Sequence, residues 1–204
     1  MAIQKDFNQE KPAVVSAGGK VFWYIIFILI VPIFIHIGNR NRLNRELTKV
    51  NEADSGIDVQ LTQRVEMLTK LVDATRQSME YESKLLKEVT AMRSKTIDNL
   101  SMNDKMNLNN KIDQLQRSIN VQLEAYPQLT ATQNIQSLQK SIKDVEENLA
   151  AARRIYNSNA SIFNQDILVY PTNVAAVEMH LSSKPYFEAS EVQKADPKID
   201  LGFN

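Results

Sequence analysis

Few side chains in this 204-residue chain could carry acid, base, metal or thiol chemistry. The chain has two histidines, His36 and His180, and no cysteine. Neither histidine has a glutamate three residues before it, so the Glu-x-x-His pairs that build metal centres in helical bundles are missing. The chain also has no Gly-x-Ser-x-Gly turn to present a hydrolase nucleophile. We therefore expect that the protein is not an enzyme and that it binds no metal ion or cofactor.

A repeated aromatic–asparagine pair is the most regular polar feature. Tyr156-Asn157 and Phe163-Asn164 are seven residues apart, about two helical turns. Their rings are expected to enter a helical core, with the amides at its edge. Asn157 and Asn164 are then predicted to fix the register of two helices by hydrogen bonding, the alternative being a ligand site. Charged side chains that flank the apolar positions are predicted to form exposed ion pairs: Asp58, Arg64, Arg153 and Arg154.

Glycine content and charge limit the architecture and the partners. The chain has five glycines, and none lies between residues 57 and 201. Tight hairpins and phosphate-binding loops need glycine, so they are excluded there and an all-α fold remains. The 24 basic and 24 acidic side chains balance to zero, which leaves no basic field to recruit nucleic acid.

The spacing of apolar residues predicts three long helices. Steps of three, four or seven residues over positions 43–89 indicate one helix, continuous with the apolar segment before it and bent at Gly56. A second helix is predicted over 108–126, where Pro127 ends it, and a third over 135–163. The polar stretch 95–107 is predicted as the turn between the first two.

The end of the chain is predicted to add a short helix and a tail. Residues 172–181 indicate a helix with Val174, Val177 and Leu181 on one face. The tail over 184–204 is expected to be extended and docked by Tyr186 and Phe187. The spacing of the three long helices suits antiparallel bundle packing.

The N-terminal region predicts a membrane anchor. Residues 21–37 are apolar and would cover about 25 Å as a helix, close to the roughly 30 Å of a hydrocarbon core. We predict an N-terminal tail over 1–20, the anchor over 21–37, a bundle over 38–183 and the tail over 184–204. Three lysines precede the anchor and four basic residues follow it closely. Because basic residues are enriched on the cytoplasmic side of a membrane span, this difference of one residue favours a cytoplasmic location of the bundle.

Several motifs resemble those of LemA family proteins, in order, over positions 50 to 203. They are Ile57-Asp58-Val59-Gln60-Leu61, Tyr126-Pro127-Gln128-Leu129, Tyr170-Pro171-Thr172-Asn173 and Lys184-Pro185-Tyr186-Phe187-Glu188. The resemblance implies a single-pass protein of the bacterial cell membrane with an antiparallel helical bundle, and it supplies no catalytic residue. Besides an N-terminal tail of about twenty residues, which is longer than is usual in the family, two features depart from the family pattern. Thr69 replaces a proline, and Glu178-Met179-His180-Leu181 replaces a glycine–phenylalanine pair.

Two functions are consistent with these features. The preferred one is a non-enzymatic scaffold or adaptor that self-associates or docks another membrane protein. Its predicted interface is a collar over 38–50, where Leu43, Leu47 and Val50 are expected to lack a partner inside the chain, because the first helix is longer than the second.

Basic side chains of the collar are expected to contact anionic headgroups or neighbouring subunits of a homo-oligomer: Arg40, Arg42 and Arg45. The tail around Tyr186 and Phe187 is the next candidate interface. The alternative function is an envelope signalling or regulatory protein that senses a small ligand or a membrane state, with Asn157 and Asn164 as its candidate site.

Overall fold

The computed structural model describes residues 15–76, 79, 83–93, 97 and 100–188, and all regular structure among them is helical. The helices are α1 Ala17–Thr75, α2 Ser83–Arg93, α3 Met102–Glu124, α4 Pro127–Thr130, α5 Gln133–Asp166 and α6 Thr172–Glu178. The predicted all-α fold is confirmed. Residues 1–14 and 189–204, which hold parts of the two predicted tails, lie outside the described residues.

Helix α1 joins the apolar segment to the bundle without a break. Its 59 residues extend about 88 Å, and Ser16 caps its start by accepting a hydrogen bond from the Gly19 N–H (3.1 Å). Pro32 and Gly56 lie inside it without ending it. At Thr69, the hydroxyl donates to the Val65 carbonyl (2.8 Å) within the continuous helix.

The prediction of one helix over 43–89 is wrong beyond Thr75. Helix α1 ends there, and Leu85 and Val89 belong to α2, which packs on α1. The apolar spacing continues across this break because both helices face the same core. Spacing reports which side chains are buried, but it does not report where the backbone turns between them.

Antiparallel packing of α1 on α5 forms most of the core. Asn159 donates to the Lys49 carbonyl (3.1 Å), and Arg64 contacts Glu146 (2.8 Å) nearer the start of α5. Leucine, isoleucine and valine from α1 fill the interface and are fully or almost fully buried: Leu43, Val50, Ile57, Leu61, Val65, Leu68, Leu71 and Val72. Helices α2 and α3 complete the bundle.

Helix α3 begins earlier than predicted. The polar stretch assigned to a turn over 95–107 is helical from Met102, so that prediction is wrong for its second half. Ser101 provides the start, because its hydroxyl accepts from the Asp104 N–H (3.2 Å) and donates to the Asp104 carboxylate (2.6 Å). Polar residues here cap a helix.

Helix α6 ends in a turn that reverses the chain. The Leu181 N–H donates to the Ala176 carbonyl (3.0 Å) and the His180 N–H donates to the Val177 carbonyl (3.1 Å). These two bonds form a Schellman motif, whose turn residue His180 has a φ of 51°. The motif directs residues 181–188 back along α5.

Candidate interaction surfaces

Two asparagines of α5 hold the C-terminal segment by its backbone. Asn157 Nδ2 donates to the Phe187 carbonyl (2.9 Å), and Asn157 Oδ1 accepts from the Phe187 N–H (2.8 Å). Asn164 treats Lys184 in the same way, at 2.8 and 2.7 Å. We call Asn157, Asn164 and residues 184–187 the tail clamp. The prediction that these asparagines bond another helix is wrong, because their partner is an extended segment of the same chain.

The clamp depends on a match between two repeat lengths. Seven residues of helix separate Asn157 from Asn164, a rise of about 10.5 Å. Three residues of extended chain separate Lys184 from Phe187, a rise of about 10 Å. The segment runs antiparallel to α5, so both amides meet a backbone N–H and C=O pair in register.

Aromatic packing fixes the segment between and beyond these bonds. Phe187 is 3% exposed, and the Arg153 guanidinium lies 5.4 Å from its ring centroid. The Tyr156 hydroxyl donates to the Pro185 carbonyl (2.9 Å). Burial raises the pKa of Tyr156 to about 12 and lowers the pKa of Arg153. Of the two aromatics predicted to dock the tail, Phe187 enters the core and Tyr186 remains 45% exposed.

The collar has partners inside the chain. Leu43 is 0% and Val50 2% exposed, and Leu47 packs partly buried against the same core. The expectation that these residues lack an intramolecular partner is therefore wrong. That expectation followed from the length of the first helix relative to the second predicted helix. The partner is instead α5, which is 34 residues long and reaches Asp166, whose carboxylate contacts Arg42 at 2.7 Å.

The basic residues of the collar are placed at the surface, where two of them make ion pairs. Arg40 contacts Glu178 of α6 at 2.7 Å, and Arg42 contacts Asp166 of α5 at 2.7 Å. Arg45 is exposed. Their predicted contact with lipid headgroups or neighbouring subunits stays a prediction. The two ion pairs connect the end of the apolar segment with the ends of α5 and α6.

Charged side chains are also buried where α1, α3 and α5 meet. Arg64 is 4% exposed and contacts Asp113 (2.6 Å) and Glu146 (2.8 Å). Lys105 is 1% exposed and contacts Asp58 at 2.6 Å. The predicted rim position of Arg64 and Asp58 is wrong, because α3 covers both. Removing one partner of such a pair would leave an uncompensated buried charge, so the pairs favour the arrangement in which these helix faces meet.

A polar cavity of about 320 Å³ opens beside this cluster. Its lining includes side chains of both charges: Arg64, Asn109, Asp113, Gln116, Arg117, Glu146 and Arg153. Within the described part of the chain, no group of three or more His, Cys, Asp or Glu side chains is placed to hold a metal ion. The lining of the cavity therefore offers hydrogen-bond donors, acceptors and both charges to a small polar group.

Outside the anchor, exposed apolar side chains of the described residues form two groups, besides single ones such as Val59, Val121 and Tyr186. Ile155 (58%) and Ile162 (47%) lie on the outer side of α5, seven residues apart. A second group lies between the end of α5 and the end of α6: Leu168, Val169, Tyr170, Val174 and Val177. Sequence reasoning placed Val174 and Val177 on one face of α6, but the buried side chains of that helix are Thr172, Ala175 and Ala176.

Comparison with known proteins relates the chain to a family and to a curated relative. The model of the LemA family matches residues 53–201. The chain is also similar to Protein LemA of Metamycoplasma hominis, with 29% identity over 193 residues, which cover 93% of this chain and 88% of that protein.

Proposed function

The chain belongs to the LemA family, and we propose that it is a non-enzymatic, membrane-anchored scaffold or adaptor that self-associates or docks another membrane protein. One helix within the described residues, α1, contains a segment long and apolar enough to cross a membrane, and none of that segment is buried in the bundle. Because α1 continues unbroken into the core, the anchor and the bundle would be coupled through a single helix.

The exposed pair Ile155 and Ile162 is the observation that carries the proposal. Single exposed isoleucines are common on soluble proteins. Here two of them lie seven residues apart on the same face of α5, which packs along α1. They form a short apolar stripe, which we call the α5 stripe, and it runs along the same axis as α1.

Membrane anchoring gives all copies the same orientation relative to the bilayer. A symmetry axis perpendicular to the membrane would then bring Ile155 and Ile162 of two copies together, as in a symmetric dimer. This α5 stripe replaces the collar as the proposed interface, since Leu43 and Val50 are already buried.

Cysteine cross-linking in membranes tests this interface. The chain has no cysteine, so Ile155→Cys and Ile162→Cys each introduce a single thiol. Copper phenanthroline oxidation should produce disulfide-linked dimers of both variants. The matched control is Val121→Cys on α3, an equally apolar position that is 66% exposed. Dimers from Val121→Cys alone would place the interface on α3, and no dimers from any variant would argue against self-association.

A second candidate function, regulation by a small ligand, is favoured by the polar cavity of about 320 Å³. Its size is at the lower end of ligand pockets, and its mixed charges suit a zwitterion. Asn157 and Asn164 do not support this function, because both are bonded to the tail. Free amino acids should raise the melting temperature of the wild type more than that of Arg117→Gln. No shift with any of them would contradict the sensing role.

A further inference from the structure

The apolar residues between α5 and α6 form one exposed patch. Leu168 and Val177 are each 75% exposed, Tyr170 is 78% exposed, and Val169 and Val174 are more than half exposed. We call residues 168–177 the corner. Five large apolar side chains within ten residues are more than the scattered apolar residues of an ordinary surface, and they indicate a partner of apolar character.

Ion pairs indicate the level of the corner along α1. Asp166, just before it, contacts Arg42 at 2.7 Å. Glu178, just after it, contacts both Arg40 and His36, each at 2.7 Å. His36 is the second-to-last residue of the apolar segment. The corner is therefore held beside the last turn of that segment and the two turns that follow.

This level corresponds to the boundary of a bilayer. From His36 to Arg42 the helix rises about 9 Å. The polar layer on each side of a hydrocarbon core is about 5–8 Å thick. If the apolar segment spans the core, the corner lies within this layer. Its composition also fits, because tyrosine is enriched at membrane interfaces and valine and leucine can enter the acyl boundary.

We infer that the corner inserts into the lipid interface and forms a second membrane contact beside the anchor. The bundle would then be held by two contacts and would stand at a fixed tilt instead of moving freely about α1. The packing of α6 on α1, with Ala175 and Ala176 buried, would keep the corner at this depth. This inference rests on the proposed membrane anchoring.

Fluorescence from single labelled cysteines tests the inference on the full chain. Val177→Cys and Leu168→Cys place an environment-sensitive nitrobenzoxadiazole label in the corner. Ile28→Cys places it in the anchor, where Ile28 is 67% exposed. Val121→Cys on α3 is the matched apolar control. Helix α3 contacts Arg64, which is 24 residues beyond Arg40 and so about 36 Å farther along α1.

The labelled proteins are reconstituted in vesicles of phosphatidylcholine and phosphatidylglycerol, with or without lipids that carry a doxyl quencher near the headgroup. The headgroup quencher should quench both corner labels at least about twofold more than the Val121 label. In a second set of vesicles the doxyl quencher lies deep in the acyl chain, and there the Ile28 label should be quenched most strongly. Circular dichroism checks that each exposed substitution leaves the helices intact.

Three outcomes would contradict the account in different ways. Quenching at Ile28 with none at the corner beyond that of Val121 would overturn the inference and leave the anchor in place. Blue-shifted emission from the corner without quenching would also overturn it, because the covering surface would then be protein. No quenching at Ile28 would overturn the membrane anchoring itself.

Discussion

Replacing Asn157 by alanine should release one end of the tail clamp. Its amide makes two hydrogen bonds to Phe187, one as donor and one as acceptor. A typical hydrogen bond contributes about 0.5–1.5 kcal/mol, so the loss of both should weaken local protection by about 1–3 kcal/mol. Since every 1.4 kcal/mol is tenfold, the Phe187 amide should exchange with solvent about 5- to 150-fold faster.

Hydrogen–deuterium exchange of the full chain measures this effect at single positions. The Lys184 amide, held by Asn164, should accelerate less than the Phe187 amide. Asn157→Asp keeps an acceptor for the Phe187 N–H but places a carboxylate oxygen against the Phe187 carbonyl, where two acceptors repel, so it should accelerate exchange at least as much as Asn157→Ala.

Asn159→Ala is the matched control, because Asn159 lies on the same helix and donates to the Lys49 carbonyl instead of the tail. It should leave the exchange of Phe187 unchanged. The reasoning would be refuted if Asn157→Ala left the exchange of Phe187 at the wild-type rate, or if Asn159→Ala accelerated it equally.

Four further variants test the core, the pH dependence of the tail and the turn after α6. Leu149→Asp puts a charge at a position that is 2% exposed, so it should cost several kcal/mol of a total of about 5–15 and unfold the bundle in thermal circular dichroism. Because the folded pKa of Tyr156 is raised to about 12 from an ordinary value near 10, its contribution to stability is complete below pH 10 and lost as the pH rises through 12. Ultraviolet titration should show this late ionisation, and Tyr156→Phe should abolish it. His180→Gly relieves a left-handed backbone and should stabilise the bundle by about 0.5–1 kcal/mol, whereas His180→Val, read by the same melting curves, should destabilise it.

The sequence predicted the existence of the long helices, although not all of their ends, because their signal is repeated many times. Apolar steps recur over dozens of residues in α1 and α5, and Pro127 marks the end of the region of α3. Short elements lack this redundancy. In α6 the valines are the largest apolar residues, but the two alanines face the core, where small side chains allow close approach of backbones.

The site was only half predictable. The seven-residue repeat identified Asn157 and Asn164 but not their partner, which lies 20–30 residues later in an extended segment. A signal was available, because three extended residues between Lys184 and Phe187 match seven helical ones in length. No helical periodicity can reveal such a pairing.

The buried charges also left a trace in the sequence. Arg64 lies three residues after Leu61 and four before Leu68, which is a core spacing. Reading it as a rim residue followed from its type alone. The burial of Arg64 depends on the carboxylates of Asp113 on α3 and Glu146 on α5, which are far from it in sequence and come near it only in the folded chain.

Native mass spectrometry of the full chain, extracted from membranes in mild detergent, tests the proposed function most directly. The account predicts a discrete multimer or a stoichiometric complex with another membrane protein. If the wild type is a multimer, the double variant Ile155→Asp, Ile162→Asp should dissociate it. The melting temperature of the bundle should stay the same, since both side chains are exposed. A wild-type chain that is found only as a monomer, with no co-purifying protein, would contradict the account.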